Sequence, residues 1–192
     1  SIKEITIPEG VTEIQHVTFG GCTSLASVTI PESVTKIRTQ VFKDCTSLES
    51  VVVAEGNPVY DSREGCNAII ETRTNTLFYG CKSTIIPESV KAIGDWAFAG
   101  CTSHESIVIP KGVTKIGRNA FAGCASPNII IPESVKEIGG YAFGGCCSLE
   151  SIVIPEGVTK ITDSAFRNCT SLKEIIIPES VNAIGDYAFA GC

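Results

Sequence analysis

Residues 154–176 read IPEGVTKITDSAFRNCTSLKEII, and residues 131–153 directly before them read IPESVKEIGGYAFGGCCSLESIV. The two 23-residue blocks align without a gap, Ile-Pro on Ile-Pro, Ala-Phe on Ala-Phe, Cys on Cys and Leu on Leu. Outward from this pair, the proline recurs at Pro8, Pro31, Pro87, Pro110, Pro132, Pro155 and Pro178. The phenylalanine recurs at Phe19, Phe42, Phe98, Phe121, Phe143, Phe166 and Phe189, each followed three residues later by a cysteine, from Cys22 to Cys192. The spacing is 23 residues, apart from one step of 22 and one of 56. The long step divides into 23 and 33 if Ala54 stands for a missing proline. A fixed period of this length is the signature of a stacked repeat.

Each part of the unit has a physical reading. Leu149, Ile152 and Ile154 belong to a β-branched, alternating run that predicts a short strand. The proline after it cannot donate to a ladder and ends the strand. Glu-Ser or Glu-Gly then makes a tight turn. The next Val and Ile point two more apolar side chains inward. Ala-Phe-x-x-Cys resembles one helical turn, with Phe and Cys on one face. No unit can bury its own apolar stripe, whereas stacked units can, so the expected fold is a solenoid. Parallel strands about 4.8 Å apart give a concave sheet roughly 30–40 Å long. The whole chain, 1–192, is expected to form one solenoid and to be a piece of a longer array, since Ser1 and Cys192 fall mid-unit.

The in-register pattern LxxIxIPxxVxxIGxxAFxxC resembles the BspA-like, treponemal-type leucine-rich repeats over nearly the whole chain. The resemblance implies an α/β repeat solenoid, a right-handed leucine-rich-repeat superhelix with a parallel concave β-sheet and little regular helix. It also implies a cell-surface or secreted location and a protein partner such as a host extracellular-matrix protein. The alternative role is a structural spacer or stalk that self-associates through open solenoid ends.

Composition narrows the function classes. Fifteen Lys and Arg face 21 Asp and Glu, a net charge of −6, which lacks the basic footprint of a nucleic-acid binder. No apolar run approaches the 18–20 or so residues of a membrane span. There is no P-loop, no HExxH, no GxSxG and no GxGxxG opening a helix. Repeated serines are the opposite of a unique catalytic constellation, so no enzyme, no cofactor and no metal site are expected. The ten cysteines contain no CxxC. The regular seven share the inward face with Phe and read as buried free thiols. Cys147 reads as exposed, and a Cys66–Cys81 bridge stays open as an alternative. His104 fills a strand-core slot and His16 a convex turn. Asn168-Cys169-Thr170 fits a glycosylation sequon but belongs to the repeat turn.

Two irregularities break the pattern. The unit from Ala54 to Ile86 has 33 residues and no Ala-Phe step. It carries NPVY at 57–60 and two strand-like runs, NAIIE and TLFYG, flanking Thr72-Arg73-Thr74-Asn75, which predict a β-hairpin. A second unit, CASPNIIIP, is one residue short, with Pro127 near its leucine slot.

The functional candidates lie on the concave face. Strand alternation points one column outward: Thr6, Thr29, Val52, Ile85, Val108, Ile130, Val153 and Ile176. A serine column lies beside it. A charged margin contains Glu49, Glu105, Glu150 and Lys173. Together they suit a protein partner, with the hairpin residues Arg73 and Asn75 as a second candidate.

Overall fold

The computed structural model describes residues 1–101 and 107–192. Its coils carry two rows of short strands. The first row holds β1 (Glu4–Thr6), β3 (Ser27–Ile30), β5 (Ser50–Val53), β10 (Ile107–Val108), β12 (Ile129–Ile130), β14 (Ser151–Val153) and β16 (Glu174–Ile176). The second row follows each proline turn: β2 (Glu13–Ile14), β4 (Lys36–Ile37), β9 (Ala92–Ile93), β11 (Lys115–Ile116), β13 (Glu137–Ile138), β15 (Lys160–Ile161) and β17 (Ala183–Ile184). Between β5 and β9 lie β6 (Tyr60–Asp61), β7 (Ala68–Glu71) and β8 (Thr76–Gly80). Pairing within both rows is parallel and holds the repeat in register, as in Val28 opposite Val51 and Ile116 opposite Ile138.

The Ala-Phe segment forms a third intercoil ladder instead of the expected helical turn. The N–H groups of Trp96, Phe98 and Gly100 donate to the next coil, at the carbonyls of Arg118 (3.0 Å), Ala120 (2.7 Å) and Ala122 (2.8 Å). The intervening N–H groups of Ala97, Ala99 and Cys101 close tight turns onto Gly94, Trp96 and Phe98. Alternating outward and inward N–H groups is incompatible with a helix, in which all N–H groups point along one axis. The residue before each Ala-Phe, or its equivalent, takes a left-handed conformation: Val17, Gln40, Trp96, Asn119, Tyr141, Ser164 and Tyr187 all have φ between +55° and +63°. That conformation costs roughly 1–2 kcal/mol for a residue with a Cβ. The ladder holds it in place in every coil.

Inside, Phe98, Phe121, Phe143, Phe166 and Phe189 stack nearly parallel, with ring centroids 5.3–5.6 Å apart. Phe19 and Phe42 form the same stack at 5.4 Å. Four of the repeat thiols reach back one coil to a phenylalanine carbonyl: Cys45 to Phe19 (3.0 Å), Cys146 to Phe121 (3.1 Å), Cys169 to Phe143 (3.0 Å) and Cys192 to Phe166 (3.0 Å). Of the seven repeat cysteines, Cys45, Cys124, Cys146 and Cys169 are buried beside the aromatic stack as expected, whereas Cys22 and Cys101 are half-buried and Cys192 is exposed.

The long unit forms the expected hairpin, and β7–β8 enters the second row, not the first. β8 runs parallel to β9, while β7 is antiparallel to both β8 and β6. Both faces of β7 are buried. Ile70 packs with the larger apolar cluster, from Cys66 to Ala188, and Ile69 with the smaller one, from Ile7 to Cys81. The NPVY motif stitches this insert to the preceding coil. The Asn57 amide donates to the carbonyls of Pro31 (2.9 Å) and Val34 (2.8 Å), and its oxygen accepts from the N–H groups of Val59 and Tyr60. The Ile37 N–H donates to the Tyr60 hydroxyl (3.1 Å). The Ser62 hydroxyl accepts from the Val53 N–H (2.9 Å) and donates to the Ala68 carbonyl (2.7 Å), bridging β5 to β7.

The first row is not the unbroken sheet expected from the spacing. It forms β1-β3-β5, β10-β12 and β14-β16 as separate groups. One break is the inserted unit, whose hairpin leaves residues 81–86 without a strand. The other lies between β12 and β14, where the unit is one residue short and carries Pro127. A cavity of about 170 Å³ opens there, lined by Ile130 and Val153 among others.

Two substitutions test this construction. Asn57→Ala removes four hydrogen bonds to backbone groups, three of them buried, and is expected to cost about 3 kcal/mol in urea denaturation. A Cβ at Gly80 falls 2.3 Å from the Phe98 ring, so Gly80→Ala is expected to destabilise the fold by about 1–3 kcal/mol. Wild-type midpoints for both variants would refute the account of the insert.

Candidate functional site

The outward column of the first row stands as a ridge. Val52, Ile85, Val108, Ile130, Val153 and Ile176 are between 43% and 78% exposed. Register pairs place Thr6 beside Thr29 and Thr29 beside Val52, Val108 beside Ile130, and Val153 beside Ile176. Thr29 is half-buried, and Ile85 extends the column from outside any strand. Their neighbours Val28, Val51, Ile152 and Ile154 point the other way and are buried, so alternation alone sorts the two faces.

The charged margin is self-neutralising. Glu49 pairs with Lys82, and Glu150 with Lys173 at 3.0 Å, in each case across the step to the next unit. Glu105 and His104 lie outside the described residues. The margin therefore frames the ridge without a single-sign field.

The hairpin candidates separate. Arg73 is exposed at the tip. Asn75 has φ of +53° and accepts a 2.7 Å hydrogen bond from Arg63, whose guanidinium also grips Asp61 at 2.6 Å. Asn75 thus serves the turn. His16 donates its Nδ1–H to the Thr39 carbonyl, 2.6 Å away. Among the described residues no group of Cys, His, Asp and Glu gathers at metal-binding geometry, and no helix is long and apolar enough to cross a membrane.

All ten cysteines are free thiols. Cys66 and Cys81 belong to different apolar clusters, and the bridge left open by the sequence is not formed. Burial pushes the thiols of Cys45, Cys66 and Cys124 up to about 11. Cys147 is exposed.

A second feature had no place in the sequence reading. On the flank of the solenoid, the left-handed residues Trp96, Asn119, Tyr141 and Ser164 line a cavity of about 740 Å³ with Arg118, Lys160 and Asp163. Its only sequence signal is the bulky residue before Ala-Phe in DWAF and GYAF, a position with no strand or helix period to mark it.

The profile of the BspA type leucine-rich repeat region matches residues 1–63 and 71–192, in six copies. The chain belongs to the BspA-type leucine-rich repeat family. Residues 64–70, the gap in that match, hold most of the loop and strand that begin the hairpin. Among solved structures, the chain is similar to a leucine-rich cell-surface protein from Faecalibacterium prausnitzii. The two are 30% identical over 100% of this chain and 57% of that one, with a TM-score of 0.80. It is also similar to a leucine-rich repeat protein of Treponema pallidum, at 29% identity over 99% of this chain and 76% of that one, with a TM-score of 0.61. A third, from Bacteroides ovatus, is 28% identical over 98% and 49%, with a TM-score of 0.67. This chain therefore spans little more than half the length of the first of these relatives. No curated protein matches it in sequence. The resemblance seen in the repeat and the solenoid fold it implied both hold.

The thiols carry the prediction here. With a pKa of about 11, roughly one in a thousand of the Cys45, Cys66 and Cys124 thiols is ionised at pH 8. A maleimide is therefore expected to label Cys147 in the folded protein and to reach those three only in denaturant. Unfolded thiols lose their protons near pH 8.5, well below the folded value. Stability is therefore full below about pH 8.5 and expected to fall as pH rises from there toward 11. A flat urea midpoint from pH 8 to 11, or native labelling of Cys124, would contradict the buried-thiol ladder.

Proposed function

We propose that the chain is a cell-surface or secreted binding module that holds a protein partner, such as a host extracellular-matrix protein, against its concave face. The observation that carries this reading is the exposed ridge from Val52 to Ile176. Large apolar side chains exposed in a row are unusual on a folded surface and mark contact faces. The notch between Ile130 and Val153 gives the ridge a recess in which an anchoring side chain fits. Thr29, Val52, Ile85, Val108, Ile130, Val153 and Ile176 form the contact core of this reading, and Glu49, Glu105, Glu150 and Lys173 its polar rim. The paired charges favour a partner recognised by shape and apolar contact over one steered by charge. The repeat-protein family and the absence of any assembled nucleophile and base among the described residues support a non-enzymatic role.

A second reading has its own observation. Ile177 and Ile184 of the last coil are exposed, whereas their counterparts Ile154 and Ile161 one coil earlier are buried. Such a coil face fits another coil of the same design, as in a self-associating stalk.

The test is a binding scan of the purified chain on immobilised extracellular-matrix proteins and mucins, beside the triple variant Val108→Glu, Val153→Glu and Ile176→Glu. The three side chains are exposed, so both proteins are expected to give the same circular dichroism. The variant is expected to bind about tenfold or more weakly, since charge enters the contact core. Equal binding by both would move the site, with Arg73 at the hairpin tip next to examine. No binding, with mass rising with concentration in light scattering, would favour the stalk.

A further inference from the structure

The flank cleft is a built site on a different face from the ridge. Trp96 and Tyr141 occupy equivalent positions two coils apart, and Asn119 lies between them on the intervening coil. At the strand spacing of a parallel stack this separates the two aromatic side chains by about 10 Å. Tyr141 is fixed in place: a Cβ at Gly144 would fall 2.4 Å from its ring, so the ring lies directly over that glycine. The phenylalanine stack beneath holds the spacing constant.

Asn119 is the sharper observation. It is only 8% exposed, yet among the described residues its amide has no hydrogen-bond partner. No buried side-chain nitrogen or oxygen among the described residues lacks a partner, so the Asn119 amide atoms reach solvent, and an amide that opens onto a cavity is free to serve a ligand. Two cations stand beside it. The Arg118 guanidinium and the Lys160 ammonium both line the cleft, and neither has an ion-pair partner among the described residues. Asp163 is the single carboxylate of the lining, and one of its oxygens already accepts from the Asp186 N–H at 3.2 Å. A shallower cavity of about 370 Å³ shares Arg118 and Lys160 and continues the cleft along β11 and β13 past Lys136. The continuation also carries Asp95 and Glu137, the latter paired with Lys115 at 3.0 Å, so the positive excess is confined to the cleft around Arg118 and Lys160.

We propose that this groove binds an acidic oligosaccharide. Sugar rings pack against Trp96 and Tyr141, a sugar carboxylate meets Arg118 and Lys160, and hydroxyl groups bond to the Asn119 amide. A sugar ring presents an apolar C–H face and a polar edge, which matches an aromatic side chain set beside hydrogen-bonding groups. The two-coil spacing of the aromatic side chains is close to the disaccharide repeat of an extended β-linked chain. A guanidinium recognises a carboxylate by a charge-assisted pair of hydrogen bonds. No aliphatic side chain lines the cleft, so it lacks the apolar centre of a protein contact.

The test uses the emission of Trp96, the chain's single tryptophan, so the reporter sits in the site. The full chain is titrated with a mannuronate hexasaccharide, with cellohexaose as a neutral chain of similar length and with a poly-glutamate peptide as a flexible polyanion. The uronate is expected to give a saturable change that weakens with salt, and cellohexaose to bind about tenfold or more weakly. Lys160→Gln and Asn119→Asp are both expected to weaken the uronate by about tenfold. Both residues lie in turns or short strands that tolerate these changes, and circular dichroism verifies the fold. Ile130→Glu, on the concave face, is expected to leave the titration unchanged. No saturable response to the uronate, equal binding of cellohexaose or of poly-glutamate, or a loss in Ile130→Glu would each overturn the assignment.

Discussion

Everything in this molecule depends on one constraint: a 23-residue coil cannot satisfy itself. Its apolar side chains are too few to close a core, and its backbone groups point along the stacking axis. Each coil therefore passes both needs to its neighbour. Three ladders do this, the two strand rows and the Ala-Phe segment, where every second N–H crosses to the next coil. The Phe stack and the cysteine thiols fill what remains between them. Stability in such a structure is a sum of neighbour terms. It is also why the period tolerates so little variation: the unit that is one residue short loses its strand pairing on one side.

Much of this was legible in the sequence because the period itself carries the information. The buried faces, the first-row strands, the hairpin and the exposed ridge follow from alternation and from the fixed Pro, Phe and Cys columns, whereas the two-residue strands of the second row are too short to show alternation. The Ala-Phe segment did not. Phe and Cys three apart imitate a helical face, and the left-handed residue before them is Val, Trp or Tyr in four of the seven coils and Asn in one. Side chains of that kind give no compositional hint of positive φ, which is imposed by the ladder and not by the residue. The break at the insert was equally hidden, since it depends on where the insert docks, whereas the break between β12 and β14 falls at the short unit with Pro127. NPVY was visible as a motif. Its task, closing the open polar groups of the coil before it, appears only once Asn57 and Tyr60 are seen against Pro31, Val34 and Ile37.

The candidate sites divide along the same line. The concave ridge was readable because its column follows strand alternation. The flank cleft was not, because it is assembled from the left-handed column, a feature of the backbone. The two faces also differ in chemistry. One is apolar with its charges paired across coils. The other is aromatic and cationic, with an amide left open. A solenoid can carry both because each column of the repeat is free to vary while the others keep the stack together.

The strand β7 has a further meaning. It is buried on both sides, with Ile69 in one apolar cluster and Ile70 in the other. The phenylalanine column is interrupted beside it, where Tyr79 tilts against Phe42 by 52° and Gly80 makes room for Phe98. Solenoids of identical coils transmit disorder from coil to coil without a natural stopping point. Here a bulkhead crosses the interior. The coils before it and the coils after it each own a separate core, joined through one hairpin. Loss of order at either end meets a wall at β7, so the array behaves as two cooperative blocks in series rather than a chain of equals.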